Sequence, residues 1–349
     1  MKSRLVALAL LAAGSAHAQS SVTLWGIVDA WVGQHDNKVG ATPAGKNTVV
    51  NSGGAQASRW GLRGEEDLGA GIKLRFALEQ GLNIDDGAVS SVSDSADGFN
   101  RNAYIAIASD KGELRLGRML TAYDAWRGSN NQLYDSSGFA STGQVWGASA
   151  AAGDGQAAVT GSDYLARGNN TVYYRTPNMG GVIASASYSL GEGATTGTKA
   201  PRMLTGHVEY RADPLRVGYA YQREKYTTGN NLFHLLGASY EFGSLRVVAN
   251  AQRQVDERVP GHQKSDEYQI GVDHPFGAAT VALGYARATT KNASGRKVVD
   301  ANGFSAMATY DLSKRTRLYA AARRLEVERA NGSTALEQVR YGVGMTHRF

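Results

Sequence analysis

Six histidines follow residue 18 (His35, His207, His234, His262, His274 and His347), dispersed and without metal-ligand spacing. The chain holds no H-E-x-x-H helix motif, no G-x-S-x-G nucleophile turn and no cysteine. Zinc hydrolysis, acyl-enzyme chemistry and thiolate chemistry all lack their usual carriers. No catalytic residue, no metal site and no cofactor is therefore expected. What remains is charge held at fixed positions. Arg59 is opposite in phase to Trp60 and Leu62, and Arg167 shares parity with Thr171, Tyr173 and Arg175, away from Val172 and Tyr174. The stretch from Met119 to Leu165 carries four acids, Asp124, Asp135, Asp154 and Asp163, against one base, Arg127. Opposed charges on two walls of a cleft would act on ions and dipoles by their field alone.

The elements that must hold such charges are strands. From Gln338 to Phe349, Val339, Tyr341, Val343, Met345, His347 and Phe349 fall on one face, and Gln338, Arg340, Gly342, Gly344, Thr346 and Arg348 on the other. Side chains alternate across a strand, so one face meets apolar surroundings and the other water. The split recurs in residues 182–190, 215–222, 245–252 and 22–31. A half-buried sheet of a soluble sandwich would show the same alternation. The connections separate the two. Brief turns (near residues 66–71, 110–112, 178–181, 213–214, 242–244, 275–277 and 311–315) alternate with longer polar ones (34–55, 83–100, 119–165, 191–201, 256–264, 291–298 and 329–337). Short turns at one end and long loops at the other are the pattern of an outer-membrane barrel. The expected fold is all-β: a transmembrane antiparallel β-barrel of about sixteen strands. Residues 119–165 are too long for an idle connection and read as a loop folded into the lumen. Arginines facing lipid would cost about 2–4 kcal/mol each at mid-bilayer, so Arg59 and Arg167 are expected to face the lumen.

Composition agrees. The 349 residues hold 43 glycines, six prolines and no cysteine, and mean hydropathy is −0.33. A barrel looks this way because only every second strand residue meets lipid. The basic balance of +6 is scattered along the strands rather than gathered in a patch, which argues against a nucleic-acid partner. Met1–Ala18 reads as a secretory signal: Lys2 and Arg4, an apolar core at Leu5–Ala13, and Ala16-His17-Ala18 for cleavage. Residues 19–349 would then be the barrel, at +4. Tyr240, Phe242, Phe276, Tyr310 and Phe349 flank short turns, as a girdle at the headgroup level would. Two strands are less clean. Counting from Arg101 puts Ile105 and Ile107 on the lumen face. In Thr316–Glu328 the alternation breaks near Arg323 and Arg324, which implies a bulge or an exit from the membrane.

Several motifs carry a family resemblance. They are Ser21-Val22-Thr23-Leu24-Trp25-Gly26, the run Ser58-Arg59-Trp60-Gly61-Leu62-Arg63-Gly64-Glu65-Glu66-Asp67-Leu68-Gly69, Phe99-Asn100-Arg101-Asn102-Ala103-Tyr104, Leu116-Gly117-Arg118, Val172-Tyr173-Tyr174-Arg175-Thr176-Pro177 and the closing Gly344-Met345-Thr346-His347-Arg348-Phe349. In this order they resemble a Gram-negative general porin of the trimeric sixteen-stranded kind, over nearly the whole chain after the signal. The resemblance implies passive diffusion of small hydrophilic solutes and ions, and a homotrimer among the lipid and lipopolysaccharide of a Gram-negative outer membrane. It implies a constriction at which Arg59, Arg101 and Arg167 on the wall, with Arg63 and Arg75 near them, face acids of the third loop. Asp135 is the best match for that acid, although the Pro-Glu-Phe-Gly turn of the family is absent. It also implies that the terminal Phe349 is the barrel-assembly signal. Three opposed arginines against one or two acids would give mild anion preference. Two other readings stay open: arginines that only brace the wall, and a channel or exported binder specific for a sugar. The second would show lumenal aromatics, of which Trp25, Trp31, Tyr173 and Tyr319 have the right parity on separated strands.

Overall fold

Every side chain of a barrel strand must choose between lipid and lumen, and that choice builds the molecule. The computed structural model describes residues 21–39, 42–90, 98–131, 164–191, 201–258 and 261–349. Met1–Ala18 and Asp135 lie outside the described residues. The first strands are β1 (Ser21–Val39), β2 (Thr42–Ser52), β3 (Arg59–Gly69), β4 (Ile72–Gly81), β5 (Asn102–Ser109) and β6 (Gly112–Leu120), followed by a short helix α1 (Ala122–Ser129). Then come β7 (Arg167–Arg175), β8 (Val182–Ser189), β9 (Arg202–Ala212), β10 (Leu215–Lys225), β11 (Asn230–Phe242) and β12 (Leu245–Asp256). The last are β13 (Gln263–Phe276), β14 (Ala279–Lys291), β15 (Lys297–Asp311), β16 (Thr316–Arg329) and β17 (Thr334–Arg348).

From β3 onward each strand pairs antiparallel with the next, and β1 closes the sheet against β17 from Ile27↔Arg348 to Val39↔Leu336. On its other edge β1 pairs first with β3 (Ser21↔Glu65 to Ile27↔Arg59) and then with β2 (Ala30↔Ser52 to Val39↔Thr42). The two segments β2 and β3 thus occupy one position in the wall, and the barrel has sixteen. Closure leaves no unpaired edge in lipid, where each orphaned backbone group would cost several kcal/mol.

The two faces are inverted relative to a soluble protein. Val22, Leu24, Leu236, Ile270, Leu283, Val343 and many like them are exposed on the outside. Asp29, Glu79, Gln222, Glu224, Arg246, Gln252 and Glu267 are buried on the inside. An apolar outer surface this extensive needs lipid to cover it. The girdle aromatics Tyr240, Phe242, Phe276, Tyr310 and Phe349 are all exposed on it. At one end five of the connections are two-residue turns, with Gly243 and Gly277 at φ +63°, where a side chain would be strained, and the other two are residues 176–181 and 312–315.

Two expectations need revision, and in β16 the exit is favoured over the bulge. Ile105 and Ile107 face outward (Ile107 is 51% exposed), whereas Ala106 is 2% exposed and faces the lumen. Strand β5 begins only at Asn102, after a bend at Arg101, so a parity counted from Arg101 does not carry into it. In β16 no register shift occurs until Val327/Glu328. The alternation there is regular, and Arg324 faces outward beside Glu326 and Glu337 because the strand has left the membrane. Finally, most of residues 34–55 are strand, not loop, as in His35↔Asn47, and the connections at 226–229 and 330–333 have only four residues each. Polar residues beyond the bilayer keep pairing because the ladder needs only backbone.

The chain end is locked by its own geometry. Gly26 and Phe349 exchange both backbone hydrogen bonds at 3.1 Å. The Phe349 ring lies over Gly26, where a Cβ would stand 2.3 Å from its Cζ. The terminal aromatic thus covers the backbone of the first strand.

Candidate functional site

The register of β3, β4 and β5 converges on one carboxylate. Glu79 sits on the lumen face of β4, opposite Gly61 of β3 and Asn102 of β5. Its Oε1 accepts from Arg101 Nε at 2.5 Å and lies 3.3 Å from Arg59 Nε, and Asn102 Nδ2 donates to its Oε2. The Arg101 backbone amide donates to the Glu79 carbonyl at 3.0 Å, which holds the bend before β5. Arg167 enters from β7, donating through Nε to the Arg101 carbonyl at 2.9 Å. Arg118 joins them. A register shift between Gly117 and Met119, with Gly117 at φ +137°, lets Arg118 donate to the Asn100 carbonyl (2.8 Å) and to Asn169. A bulge of this kind re-aims a side chain beside a site. Four guanidinium groups therefore gather on one wall, with Glu79 held between two of them.

Arg59 is positioned by a knot that the alternation does not reveal. Residues 53–58, between β2 and β3, leave the ladder and turn about Asp29, which is fully buried. The Asp29 carboxylate accepts from the amides of Gly54 (2.8 Å), Ala55 (3.1 Å) and Gln56 (2.9 Å), from Tyr319 Oη (2.7 Å) and from Thr346 Oγ1 (2.7 Å). Five donors satisfy a buried charge that would otherwise be prohibitive. Ser58 bonds the Asp29 backbone at both its amide and its carbonyl, and Arg59 follows directly. The knot ties β1, the β2–β3 junction, β16 and β17 together at the seam.

The facing wall seats α1. Thr121 caps it, its hydroxyl accepting from the Asp124 amide at 3.1 Å. Trp126 lies on a shelf made by Gly218 and Gly237, which are register partners on β10 and β11; a Cβ on either would come within 2.8–3.1 Å of the indole. His207 stacks on it at 5.9 Å and the Arg216 guanidinium lies 4.6 Å from the ring centre. Arg216 also donates to the Ser129 carbonyl (2.8 Å), and Arg246 to the Asn131 carbonyl (2.9 Å), so two cations meet the C-terminal end of the helix. Both are neutralised on the wall, Arg216 by Glu209 at 2.6 Å and Arg246 by Asp273 at 2.5 Å. Asn250 and Asn130 exchange bonds at 2.8 Å, and Gln269 reaches Asn131 at 2.5 Å. At the far end of the segment, the Leu165 amide donates to Glu224 at 2.6 Å and Gln222 donates to the Leu165 carbonyl at 3.0 Å. Both described ends of the long segment therefore lie inside the barrel, on the wall of β9 to β13.

Of the residues singled out in the sequence, Arg59, Arg101 and Arg167 come together. Arg63 lies further toward the turns, 5.8 Å from the Trp25 ring, and Arg75 is paired with Glu65 (2.8 Å) and Glu113 (2.7 Å). Asp124 of α1 accepts from Tyr164 at 2.5 Å and has Arg127 at 4.0 Å. The lumenal aromatics are all engaged. Trp31 and Tyr319 meet across the seam, Tyr319 holding Asp29; Tyr173 packs on Met119 under Arg115. None forms a free run over which a sugar ring could slide. Glu79 was not singled out in the sequence, Asp29 showed only the alternation of residues 22–31, and Arg118 only its place in Leu116-Gly117-Arg118.

The family model for a Gram-negative porin matches residues 5–330. Outer membrane porin protein 32 of Delftia acidovorans is 36% identical over 91% of this chain and 88% of its own. An outer membrane porin protein of Bordetella pertussis is 30% identical over the whole of both. Among solved structures, an anion-selective porin from Comamonas acidovorans superposes with a TM-score of 0.78 at 30% identity, covering 95% of this chain and all of that one. OmpT of Vibrio cholerae, in a trimer form, shares the fold at a TM-score of 0.67 and 14% identity over 95% of this chain and 99% of its own.

Proposed function

The chain belongs to the Gram-negative porin family, and on that premise we propose that its pore prefers anions because the arginine wall at Glu79 keeps a positive excess. The family and fold make it an outer-membrane channel for passive diffusion and not an enzyme. The preference rests on one observation: Arg59, Arg101, Arg118 and Arg167 stand against Glu79, while the acid of α1, Asp124, has its own cation in Arg127. A small anion passing within about 6 Å of one uncompensated arginine gains about 0.7 kcal/mol in bulk-like water and about 3 kcal/mol at an effective dielectric of 20. That the solved relative from Comamonas acidovorans is described as anion-selective supports the reading. Asp135 as a facing acid, a cleaved signal at Met1–Ala18, a homotrimer, and a setting of lipid and lipopolysaccharide belong to the same proposal. The test is the reversal potential across a planar bilayer under a potassium chloride gradient. The wild type should be anion-selective, and Arg59→Gln, Arg101→Gln and Arg167→Gln together should shift the potential toward cations. A cation-selective wild type, or a triple variant at the wild-type potential, would overturn it.

A further inference from the structure

A second cationic group stands far from the constriction, and nothing so far gives it a task. Strands β16, β17 and β1 are neighbours at the seam, and their register places Arg323 directly opposite Arg340, and Arg340 directly opposite His35. All three share the parity of lumen-facing residues: Arg323 with Tyr319 and Ala321, Arg340 with Thr346, His35 with Trp31. Like charges directly opposite on adjacent strands repel. Among the described residues neither guanidinium has a carboxylate within ion-pair distance. Arg323 is 3% exposed, donates through Nη2 to Gln338 Oε1, and leaves Nε and Nη1 without an acceptor. Arg340 donates through Nε to His35 Nε2 at 3.0 Å.

The outward face at the same height is built differently. There Lys38, Glu337, Arg324 and Glu326 alternate in sign and pair at 2.9–3.2 Å. On the inward face no counter-charge stands beside the pair among the described residues. Buried unsatisfied donors are rare and call for a specific explanation, of which an ion is one. An arginine pair presents forked N–H donors that match the oxygens of a phosphate or carboxylate two at a time, which a chloride ion cannot exploit.

We propose that Arg323, Arg340 and His35 form a binding site for an oxyanion of the phosphate class at the loop end of the lumen. The site is separate from the arginine wall: His35 is eight residues beyond Ile27, the partner of Arg59, or about 26 Å along the strand. Because the row faces the lumen, its occupant is a free anion in transit and not a lipid headgroup. Held there, an oxyanion would neutralise the Arg323–Arg340 repulsion and raise its own concentration above the constriction. The inference rests on the reading of the chain as a diffusion channel and adds a recognition step to it.

The experiment uses folded full-length barrels in planar bilayers with potassium chloride on both sides and inorganic phosphate added on the loop side. Phosphate should reduce the chloride current and saturate. In Arg323→Gln/Arg340→Gln channels that conduct potassium chloride, the half-blocking concentration should rise at least about tenfold, as expected for losing charge-assisted hydrogen bonds. Arg340→Gln alone, which leaves the buried Arg323 in place, should show a smaller rise and serves where the double variant does not fold. The Arg59, Arg101 and Arg167 triple variant should keep the half-blocking concentration while its reversal potential moves, so the two proposals fail separately. A phosphate effect that never saturates in the wild type, or a wild-type half-block in both the double and the single variant, would overturn the site.

Discussion

Replacing Glu79 with Gln removes the acid held between two of the gathered arginines and little else. The amide keeps the shape and two of the hydrogen-bonding positions that Arg101 at 2.5 Å, Arg59 at 3.3 Å and Asn102 now use. On the wall described, four guanidinium groups against one carboxylate leave an excess of three positive charges, and the substitution raises it to four. One added charge about 6 Å from the ion path is worth about 0.7 kcal/mol in bulk-like water and about 2.8 kcal/mol at an effective dielectric of 20. Those energies act with opposite sign on chloride and potassium, so the chloride-to-potassium permeability ratio would rise by about tenfold at the lower figure and about ten-thousandfold at the upper. Screening over about 8–10 Å at physiological salt places the result toward the lower figure and makes it shrink as salt rises. Stability should fall as well, because breaking a buried ion pair from one side costs about 3–5 kcal/mol before the amide's hydrogen bonds are counted. The assay is reversal potential in a potassium chloride gradient at two salt levels, on barrels that retain their heat-modifiable migration. A folded Glu79→Gln channel with an unchanged potential, or one moved toward potassium, would refute the claim that this wall sets the selectivity.

Deleting Phe349 should lower the amount of heat-modifiable protein in outer membranes, since the ring that covers Gly26 and the last backbone pair of the seam go with it; normal amounts of folded barrel would count against this role. Trp126→Ala should empty the shelf between Gly218 and Gly237, a loss of about 3–5 kcal/mol for a buried Trp, and loosen α1 from its wall. Single-channel recordings should then show larger or noisier open currents, and a quiet, unchanged conductance would mean that α1 is held without it.

The barrel was legible because lipid and water sort alternate residues, and that sorting acts on each strand alone. Gln338–Arg348 or Leu245–Gln252 needs no partner to declare its two faces. The arginines were legible for the same reason, since Arg59 and Arg167 could not face lipid. What could not be read depends on breaks in the alternation or on distant partners. Arg101 reaches Glu79 from a bend outside β5, which is also why Ile105 and Ile107 were placed on the wrong face. Arg118 is aimed by a bulge at Gly117, and a parity count assigns it to lipid. Asp29 collects donors from residues 54–56, 319 and 346, so its environment exists only once the seam has closed. Gly218 and Gly237 look like weak points of two strands until Trp126 is laid across them.

The two sides of the lumen use the same residue types for opposite ends. On the wall of β9 to β13, Arg216 has Glu209 and Arg246 has Asp273, each at or below 2.6 Å. A neutral pair projects only a dipole field, which fades faster with distance than that of a charge, so these arginines can hold the carbonyls of Ser129 and Asn131 without much influence on a passing ion. Their task is mechanical: they fix α1. On the wall of β3 to β7, where Arg59 and Arg101 share Glu79, the guanidinium groups of Arg59, Arg118 and Arg167 also donate to neutral acceptors, the carbonyls of Ala57, Asn100 and Arg101 and the side-chain amide of Asn169. A carbonyl orients a guanidinium as well as a carboxylate does but leaves its charge uncancelled. If the proposed anion preference holds, it follows from the kind of acceptor each arginine is given, and a count of lumenal arginines alone would misplace it.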